Sequence, residues 1–406
     1  MQVKRAWLGV ILLIVLGVVY TWATWRYFTL KVPGGNDFLA MHYSVWQAYV
    51  QKGYSPYSDD AALYTQQMIR GRPALPGEDQ NRLTYPFYSI LLYVWFIWLD
   101  YPLARAIYMT LLQVVLFIGI YMTLNLFQWK IRGWLLAIVL AWSLLFYPVA
   151  RGVILGQFAI VGFFSLAGAL YYLMRKRDIL AGSLLVISTI KPTLVFLVVP
   201  FLLIWAIFRR RWHFVISFVG IVIGLSLASM IVYPSWIGDW LYRIIRYSEY
   251  TVGQSPVWLL THAAVPGLGQ VGDLLITAFL IIGMLWTWWK AFRPGGEMWF
   301  YWSLGITLVV SNLIVQRSAT TNYVLMFVPT LWIFAVLERS FTWGKIAVWI
   351  SMLVSFVGLW WLHFATVVGN QEQPIMFIPY PLILGLVLLV GRRWLQEDAR
   401  RIGIVA

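Results

Sequence analysis

Cysteine is absent from the 406 residues, and histidine occurs only four times. The chain therefore has no disulfide and no thiolate metal ligand, and four scattered histidines do not make a zinc centre. Charged residues are also scarce: they form 11% of the chain, whereas hydrophobic residues form 61% and the mean hydropathy is +0.77. So little polar surface excludes a water-soluble fold. The composition predicts an all-α, polytopic membrane protein.

Acidic residues are outnumbered by basic ones, 15 to 30, which gives a formal net charge of +15. Such a charge can indicate nucleic-acid binding, but the Arg and Lys residues here fall in short clusters between apolar runs. That distribution is typical of membrane topology and not of a nucleic-acid surface. The 25 Trp, 23 Tyr and 24 Phe fit aromatic belts at many helix ends. We therefore expect no nucleic-acid partner.

Apolar segments recur along the whole chain, and about twelve of them are candidates for membrane-spanning helices, for which about 20 residues suffice. They are residues 7–28, 102–126, 133–149, 154–174, 179–190, 193–208, 213–233, 271–289, 298–315, 321–337, 346–364 and 376–391. The additional segment 85–99 is short and bounded by prolines, so we interpret it as re-entrant or interfacial. The short segments on either side of Lys191-Pro192 predict a broken hairpin.

The basic clusters predict the orientation. If residues 85–99 do not cross, the later clusters all fall on the side of the N-terminus, as the positive-inside rule requires. We therefore expect both termini in the cytoplasm and two large periplasmic loops, 29–101 and 234–270. The first segment is too long for a cleaved signal peptide. The sequence predicts a single transmembrane domain over 1–406, placed in the inner membrane.

Asp37 is the candidate catalytic acid of the first external loop. It follows Gly34-Gly35, which break the helix, and it precedes the apolar stripe of an amphipathic helix, formed by Phe38, Met41, His42, Val45, Trp46 and Tyr49. Asp37 is thus expected at the membrane surface, where an interfacial helix begins. Its alternative role is that of a helix N-cap. The other acids of this loop are interpreted as a solvated face: Asp59, Asp60, Glu78 and Asp79.

Five cations are predicted on the same external side: Lys191, Arg317, Arg151, Arg243 and Arg246. A charge at membrane depth costs a few kcal/mol unless it is paired or solvated. Any one of them could be a side chain that anchors a helix end by reaching toward the interface. Together they suggest binding of an anionic head group such as a lipid phosphate. His42, one turn after Asp37, either shares this site or is a packing residue, and we favour packing.

Several short motifs occur in a fixed order: Asp37-Phe38, Gly53-Tyr54-Ser55-Pro56-Tyr57, Thr84-Tyr85-Pro86, Gly156-Gln157, Ala181-Gly182 and Ile190-Lys191-Pro192. This set, within residues 33–192, resembles the polyprenol-phosphate-dependent GT-C glycosyltransferases of family 87. That family includes mycobacterial mannosyltransferases of phosphatidylinositol mannoside synthesis and related arabinofuranosyltransferases. Its members usually have a second proline after Tyr-Pro, where this chain has Phe87. The C-terminal half resembles the family only in hydropathy.

The resemblance implies a GT-C fold with Asp37 as general base, a cavity open to the periplasm, and a polyprenyl monophosphate sugar as donor. Tyr85 and Gln157 lie in the matching motifs and join the five cations and His42 as candidate substrate-binding residues. We expect an inverting transferase that moves a sugar, with mannose favoured, to a lipid or glycan acceptor. A base for the acceptor hydroxyl and cations for the leaving phosphate suffice for such a reaction. No metal or cofactor is expected.

Two other functions are compatible with many spans and intramembrane cations. A transporter or flippase of a lipid-linked precursor would share both features, but the sequence has no evident repeat symmetry and its first loop is long. An O-antigen ligase or polymerase using a pyrophosphate-linked donor typically has its large loop late in the chain, whereas here the large loop comes first.

Overall fold

The computed structural model describes residues 2–32, 34–251, 253–265, 267–369 and 372–403. Pro33, Val252 and Pro266, which belong to the two predicted external loops, lie outside these ranges. Within them all regular secondary structure is helical and no β-strand is present. The all-α prediction is confirmed for this part of the chain. The helices group into two compact units, and the single domain remains a prediction.

The first unit comprises residues 1–115, 152–157 and 229–251. Its α-helices are Gln2–Ala23, Asn36–Phe38, Val45–Lys52, Asp59–Arg70, Ile90–Tyr93, Trp236–Ile245 and Tyr247–Tyr250, together with parts of Tyr101–Leu126, Tyr147–Leu155 and Trp212–Val232. Two π-helical turns, Thr24–Thr29 and Leu39–Ser44, continue the helices before them. Two 3₁₀ turns, Phe87–Ser89 and Val94–Trp98, flank Ile90–Tyr93.

The second unit comprises residues 116–151, 158–228 and 252–406. Its α-helices are Gly133–Leu145, Ala159–Leu173, Asp178–Ser188, Pro192–Val195, Val198–Phe208, Pro256–Leu259, Gly269–Phe292, Phe300–Ile314, Phe327–Ser340, Gly344–Thr366, Pro379–Val390 and Arg392–Ile402, with the remaining parts of the three shared helices. The short turns Leu260–Ala264, Glu297–Trp299, Thr320–Met326 and Pro374–Phe377 connect them. Phe300–Ile314 and Thr320–Ser340 are almost wholly buried, so they form the core of this unit.

Six described helices are long and apolar enough to cross a membrane: Ile11–Thr29, Tyr101–Leu126, Trp212–Val232, Gly269–Phe292, Thr320–Ser340 and Gly344–Thr366. Two bent pairs raise the number to eight if each pair is one span. The pair Gly133–Leu145 and Tyr147–Leu155 bends by 62°, where Pro148 interrupts the backbone hydrogen bonds. The other predicted segments form helices of 11 to 15 residues. Twelve crossings therefore remain a prediction.

The apolar stripe that begins at Phe38 packs against protein. Phe38 and Trp46 are fully buried. The ring of Phe38 stacks on Tyr108 with 4.6 Å between centroids, and Trp46 meets Phe87 edge-on at 5.8 Å. Aromatic pairs at these distances contribute beyond their buried area. Phe38 and Trp46 of the stripe are thus part of the core of the first unit. The interfacial position of the helix as a whole remains a prediction.

Two predicted interruptions are present. Residues Phe87–Trp98 form only 12 residues of helix, about 20 Å at 1.5–2.0 Å per residue, less than the hydrocarbon thickness. The chain also breaks at Lys191, which precedes the single turn Pro192–Val195, and a second break at residues 196–197 precedes Val198–Phe208. Proline at the first position of a helix lacks the N–H that would continue the preceding one. The prediction that residues 85–99 do not cross the membrane is thus supported only by the short length of this helix.

The orientation is testable with single cysteines because the chain has none of its own. Arg177 is exposed in the turn after Ala159–Leu173, and Leu75 is 56% exposed in the first predicted loop. In intact cells we expect an impermeant maleimide to label Leu75→Cys and to leave Arg177→Cys unlabelled until the membrane is opened. Labelling of Arg177→Cys in intact cells would invert the predicted topology.

Candidate functional site

A glycine turn sets the position of Asp37. Gly34 and Gly35 have φ of 145° and 73°, conformations that glycine adopts without steric cost. Gly35 is the N-cap of the helix that continues to Lys52, and Asp37 lies in its first turn, half-buried. The alternative that Asp37 is the N-cap is therefore wrong. A carboxylate in a first turn is still favoured by the helix dipole.

Two side chains of the helix Tyr101–Leu126 hold this turn. The hydroxyl of Tyr101 donates to the carbonyls of Gly34 and Gly35, at 2.6 and 3.0 Å. The guanidinium of Arg105 donates to the carbonyl of Val32 at 2.9 Å. A Cβ added to Gly35 would lie 2.6 Å from Arg105 Nε and 2.7 Å from the Tyr101 hydroxyl. Gly35 is therefore required by packing as well as by φ, whereas Gly34 is favoured by φ alone.

Gly156 brings a second predicted motif to Asp37-Phe38. Its φ is 72°, and an added Cβ would lie 2.5 Å from the Cβ of Phe38. The backbone of residues 152–157 thus contacts the first turn of the helix that carries Asp37. Gln157, the next residue, is buried with 8% exposure. The structure therefore brings together the motifs Asp37-Phe38 and Gly156-Gln157, which are far apart in the sequence.

His42 and Tyr85 belong to an aromatic cluster. The His42 ring is fully buried and stacks on Tyr93 with 3.9 Å between centroids and on Tyr85 at 5.4 Å. The Tyr85 carbonyl accepts a hydrogen bond of 2.8 Å from the Tyr57 hydroxyl. These ring contacts support a packing role for His42. Tyr57 likewise links the motif Tyr54-Ser55-Pro56-Tyr57 to the motif around Tyr85.

Arg243 is engaged in contacts within the protein. Its guanidinium donates to the Tyr57 carbonyl at 2.7 Å and to Asp59 Oδ1 at 2.7 Å. Asp59 also pairs with Arg82. Hydrogen bonds from Arg82 and Arg243 lower the pKa of the Asp59 carboxyl below its usual value, which makes it a weaker base. Arg243 thus attaches residues 236–250 to the first loop, and its expected contact with phosphate gains no support.

One further candidate cation, Arg246, and three further acids, Glu78, Asp60 and Asp100, also lie in the first unit. Arg246 is exposed and lies over the ring of Tyr242, 4.4 Å from its centroid. Glu78 forms a two-point pair with Arg72, both contacts 2.8 Å, which lowers the pKa of Glu78 to about 2. Asp60 and Asp100 are exposed. Of the four aspartates Asp37, Asp59, Asp60 and Asp100, Asp37 alone is half-buried.

Lys191 and Arg317 lie in the second unit. Lys191 is half-buried at the break before Pro192–Val195, and its Nζ donates to Asn322 Oδ1 at 3.1 Å. Arg317 is also half-buried, and a Cβ on Gly253 would lie 3.0 Å from its Cγ. Asn322 belongs to the buried turn Thr320–Met326, so a rigid element fixes the amine of Lys191.

Arg151 pairs with an acid that the sequence did not single out. Its Nε lies 3.3 Å from Glu372 Oε1, and the Glu372 side chain is 7% exposed. The hydroxyls of Tyr147 and Thr320 also donate to this carboxylate, the former at 2.7 Å. His363 is a further neighbour, with its Nδ1 3.0 Å from the Tyr147 hydroxyl. Arg151 is therefore neutralised by a buried partner, and its expected contact with phosphate gains no support.

Sequence analysis did not single out Arg105 or Glu372, although the sequence contains a signal for Arg105. Arg105 is the lone charge in the apolar segment 102–126, and a charge in such a segment marks a functional site by default. Glu372 gave no such signal, because it lies in a polar stretch far along the chain from Arg151. Among the described residues, no group of three or more His, Cys, Asp or Glu side chains is placed to hold a metal ion.

Comparison with known proteins gives one match. The sequence model of glycosyltransferase family 87 matches residues 83–314, more than half of the chain. The matched range contains Tyr85, Gln157 and Lys191, whereas Asp37 and Arg317 lie outside it. No curated protein matches the chain, and no solved structure matches it.

Proposed function

The chain belongs to glycosyltransferase family 87, and from this premise we propose that it transfers a sugar from a polyprenyl monophosphate donor to a lipid or glycan acceptor. We propose mannose as the sugar, inversion at its anomeric carbon, and a reaction at the periplasmic face of the inner membrane within a GT-C fold. The observation that carries the proposal is the half-buried carboxylate of Asp37, which follows a glycine turn held by Tyr101 and Arg105.

In the proposed reaction Asp37 takes the proton of an acceptor hydroxyl. The acceptor oxygen then forms a bond to the anomeric carbon while the bond from that carbon to the phosphate oxygen breaks. Polyprenyl phosphate leaves with the bonding electron pair, and cations stabilise its developing charge. Fixed position and partial burial suit Asp37 to this task better than Asp59, whose carboxylate is occupied by two arginines.

Lys191 and Arg317 are the proposed ligands of the donor phosphate. Lys191 is half-buried and fixed through Asn322, and Arg317 is half-buried beside Gly253. An ammonium or guanidinium held in such a position can meet a phosphate oxygen without a large loss of side-chain entropy. Arg151, with its buried carboxylate partner, is a weaker candidate.

Replacement of Lys191 or Arg317 with Ala should weaken donor binding about 10- to 150-fold, because a hydrogen bond to a charged group contributes roughly 1.5–3 kcal/mol. Lys191→Arg should not restore it, since a planar guanidinium does not fit where a compact ammonium did. Titration with short-chain polyprenyl phosphate measures the affinity. Lys345→Ala is the control, since that side chain is 73% exposed. Unchanged affinity in both Ala variants would place the phosphate elsewhere.

The activity is tested with purified protein, short-chain polyprenyl-phosphate mannose and arabinose, and a set of lipid acceptors. We expect release of polyprenyl phosphate together with a glycosylated acceptor, and a preference for the mannose donor. In vesicles, a transporter or flippase would instead move the donor across the membrane without releasing polyprenyl phosphate. That outcome would contradict the proposed reaction.

A further inference from the structure

Arg105 is a buried cation within a candidate membrane span. It lies in the first turns of Tyr101–Leu126 and is 2% exposed. Burial of a guanidinium in such a helix costs several kcal/mol unless hydrogen bonds or an opposite charge compensate it. Within the described ranges no carboxylate forms an ion pair with it. The chain therefore keeps a charge where an apolar residue would be less costly.

The contacts of Arg105 join two separate stretches of backbone. One terminal nitrogen donates to the Val32 carbonyl at 2.9 Å, and the other donates to the Ile154 carbonyl at 3.1 Å. The first carbonyl lies just before the glycine turn, and the second lies just before Gly156. Because Gly156 lies against Phe38, the two bonded carbonyls belong to the two backbone segments that meet at Asp37-Phe38.

The guanidinium of Arg105 is closely surrounded by the Phe28 ring and the glycine turn. Arg105 lies against the ring of Phe28, 5.4 Å from its centroid, and its Nε has no hydrogen-bond partner in the described structure. Gly35 approaches it so closely that an added Cβ would lie 2.6 Å from Nε, whereas a Cβ on Gly34 would make an ordinary contact of 3.4 Å with a terminal nitrogen. The turn before Asp37 thus packs closely against this side chain and against the Tyr101 hydroxyl.

We propose that Arg105 is a positioning residue for Asp37: by bridging the carbonyls of Val32 and Ile154 it holds the glycine turn, and hence the carboxylate, in one orientation. This inference rests on the proposed function, in which Asp37 is the base. A base already held in its productive geometry does not pay the entropic cost of adopting that geometry during the reaction. Loss of the side chain that holds the base therefore lowers turnover more than it weakens substrate binding.

The test uses Arg105→Met in the full-length protein. We expect kcat to fall about 10- to 100-fold per folded molecule while the donor KM changes by less than about twofold. Arg105→Lys keeps the charge but replaces the two terminal nitrogens, each of which bonds to one carbonyl, with a single ammonium, so it should remain impaired. Lys52→Met, exposed at the end of the helix that carries Asp37, serves as the control with unchanged kinetics.

A double-mutant cycle separates positioning from general destabilisation. If Arg105 acts through Asp37, Asp37→Asn combined with Arg105→Met should be no slower than Asp37→Asn alone. Additive losses, or a normal kcat in Arg105→Met, would overturn the inference. Where Arg105→Met does not fold, Arg105→Lys provides the same cycle. Near-normal turnover of Asp37→Asn by itself would instead contradict the proposed function.

Discussion

Asp37→Asn should lower turnover by about two to four orders of magnitude, while the protein stays folded and binds its donor. The amide keeps the shape of the carboxylate but cannot accept the proton of the acceptor hydroxyl. Folding should survive because Gly35, and not Asp37, is the N-cap of the helix. The measurement is the rate of polyprenyl phosphate release under saturating donor and acceptor.

Asp59→Asn is the matched control for this substitution. Asp59 lies in the same predicted loop, but it is 68% exposed and paired with Arg82 and Arg243. We expect its turnover to stay within a few-fold of the unmodified protein. A folded Asp37→Asn protein with near-normal turnover would remove Asp37 as the base. The next candidates for the base would be Asp59, Asp60, Asp100 and His262.

Arg151→Met should destabilise the protein by about 3–5 kcal/mol, because it leaves the Glu372 carboxylate buried without its cation. Chemical unfolding in detergent, followed by tryptophan fluorescence, measures the change. Adding Glu372→Gln should recover most of the loss, since a neutral amide can still bond to Tyr147 and Thr320. Unchanged stability of Arg151→Met would show that the pair carries little energy.

The sequence predicted the features that depend on neighbouring residues. Hydropathy predicted helices, the Gly34-Gly35 pair predicted the break before Asp37, and Pro192 predicted the interrupted helix at Lys191. Each of these follows from local backbone chemistry or from the period of the apolar residues. The ordered motifs also predicted the family, although no single motif would have been sufficient.

The sequence could not predict pairings between distant residues. Nothing near Arg243 indicates Asp59, and nothing near Arg151 indicates Glu372. Both arginines are paired with a distant carboxylate in the fold, and both lose support as phosphate ligands. For the apolar stripe after Asp37, periodicity identifies an apolar face but not what covers Phe38 and Trp46 within it. Here the cover is Tyr108, Phe87 and their neighbours.

The bridge made by Arg105 also has a consequence for biosynthesis. Val32 emerges from the ribosome long before Ile154, whose carbonyl accepts the second hydrogen bond. A nascent chain that ends before residue 154 has the Asp37 turn but lacks both that carbonyl and Gly156. The glycine turn before Asp37 therefore gains its second support only after the helix pair Gly133–Leu145 and Tyr147–Leu155 has been synthesised. Under the proposed function, a nascent chain shorter than this cannot yet hold the Asp37 carboxylate in its working position.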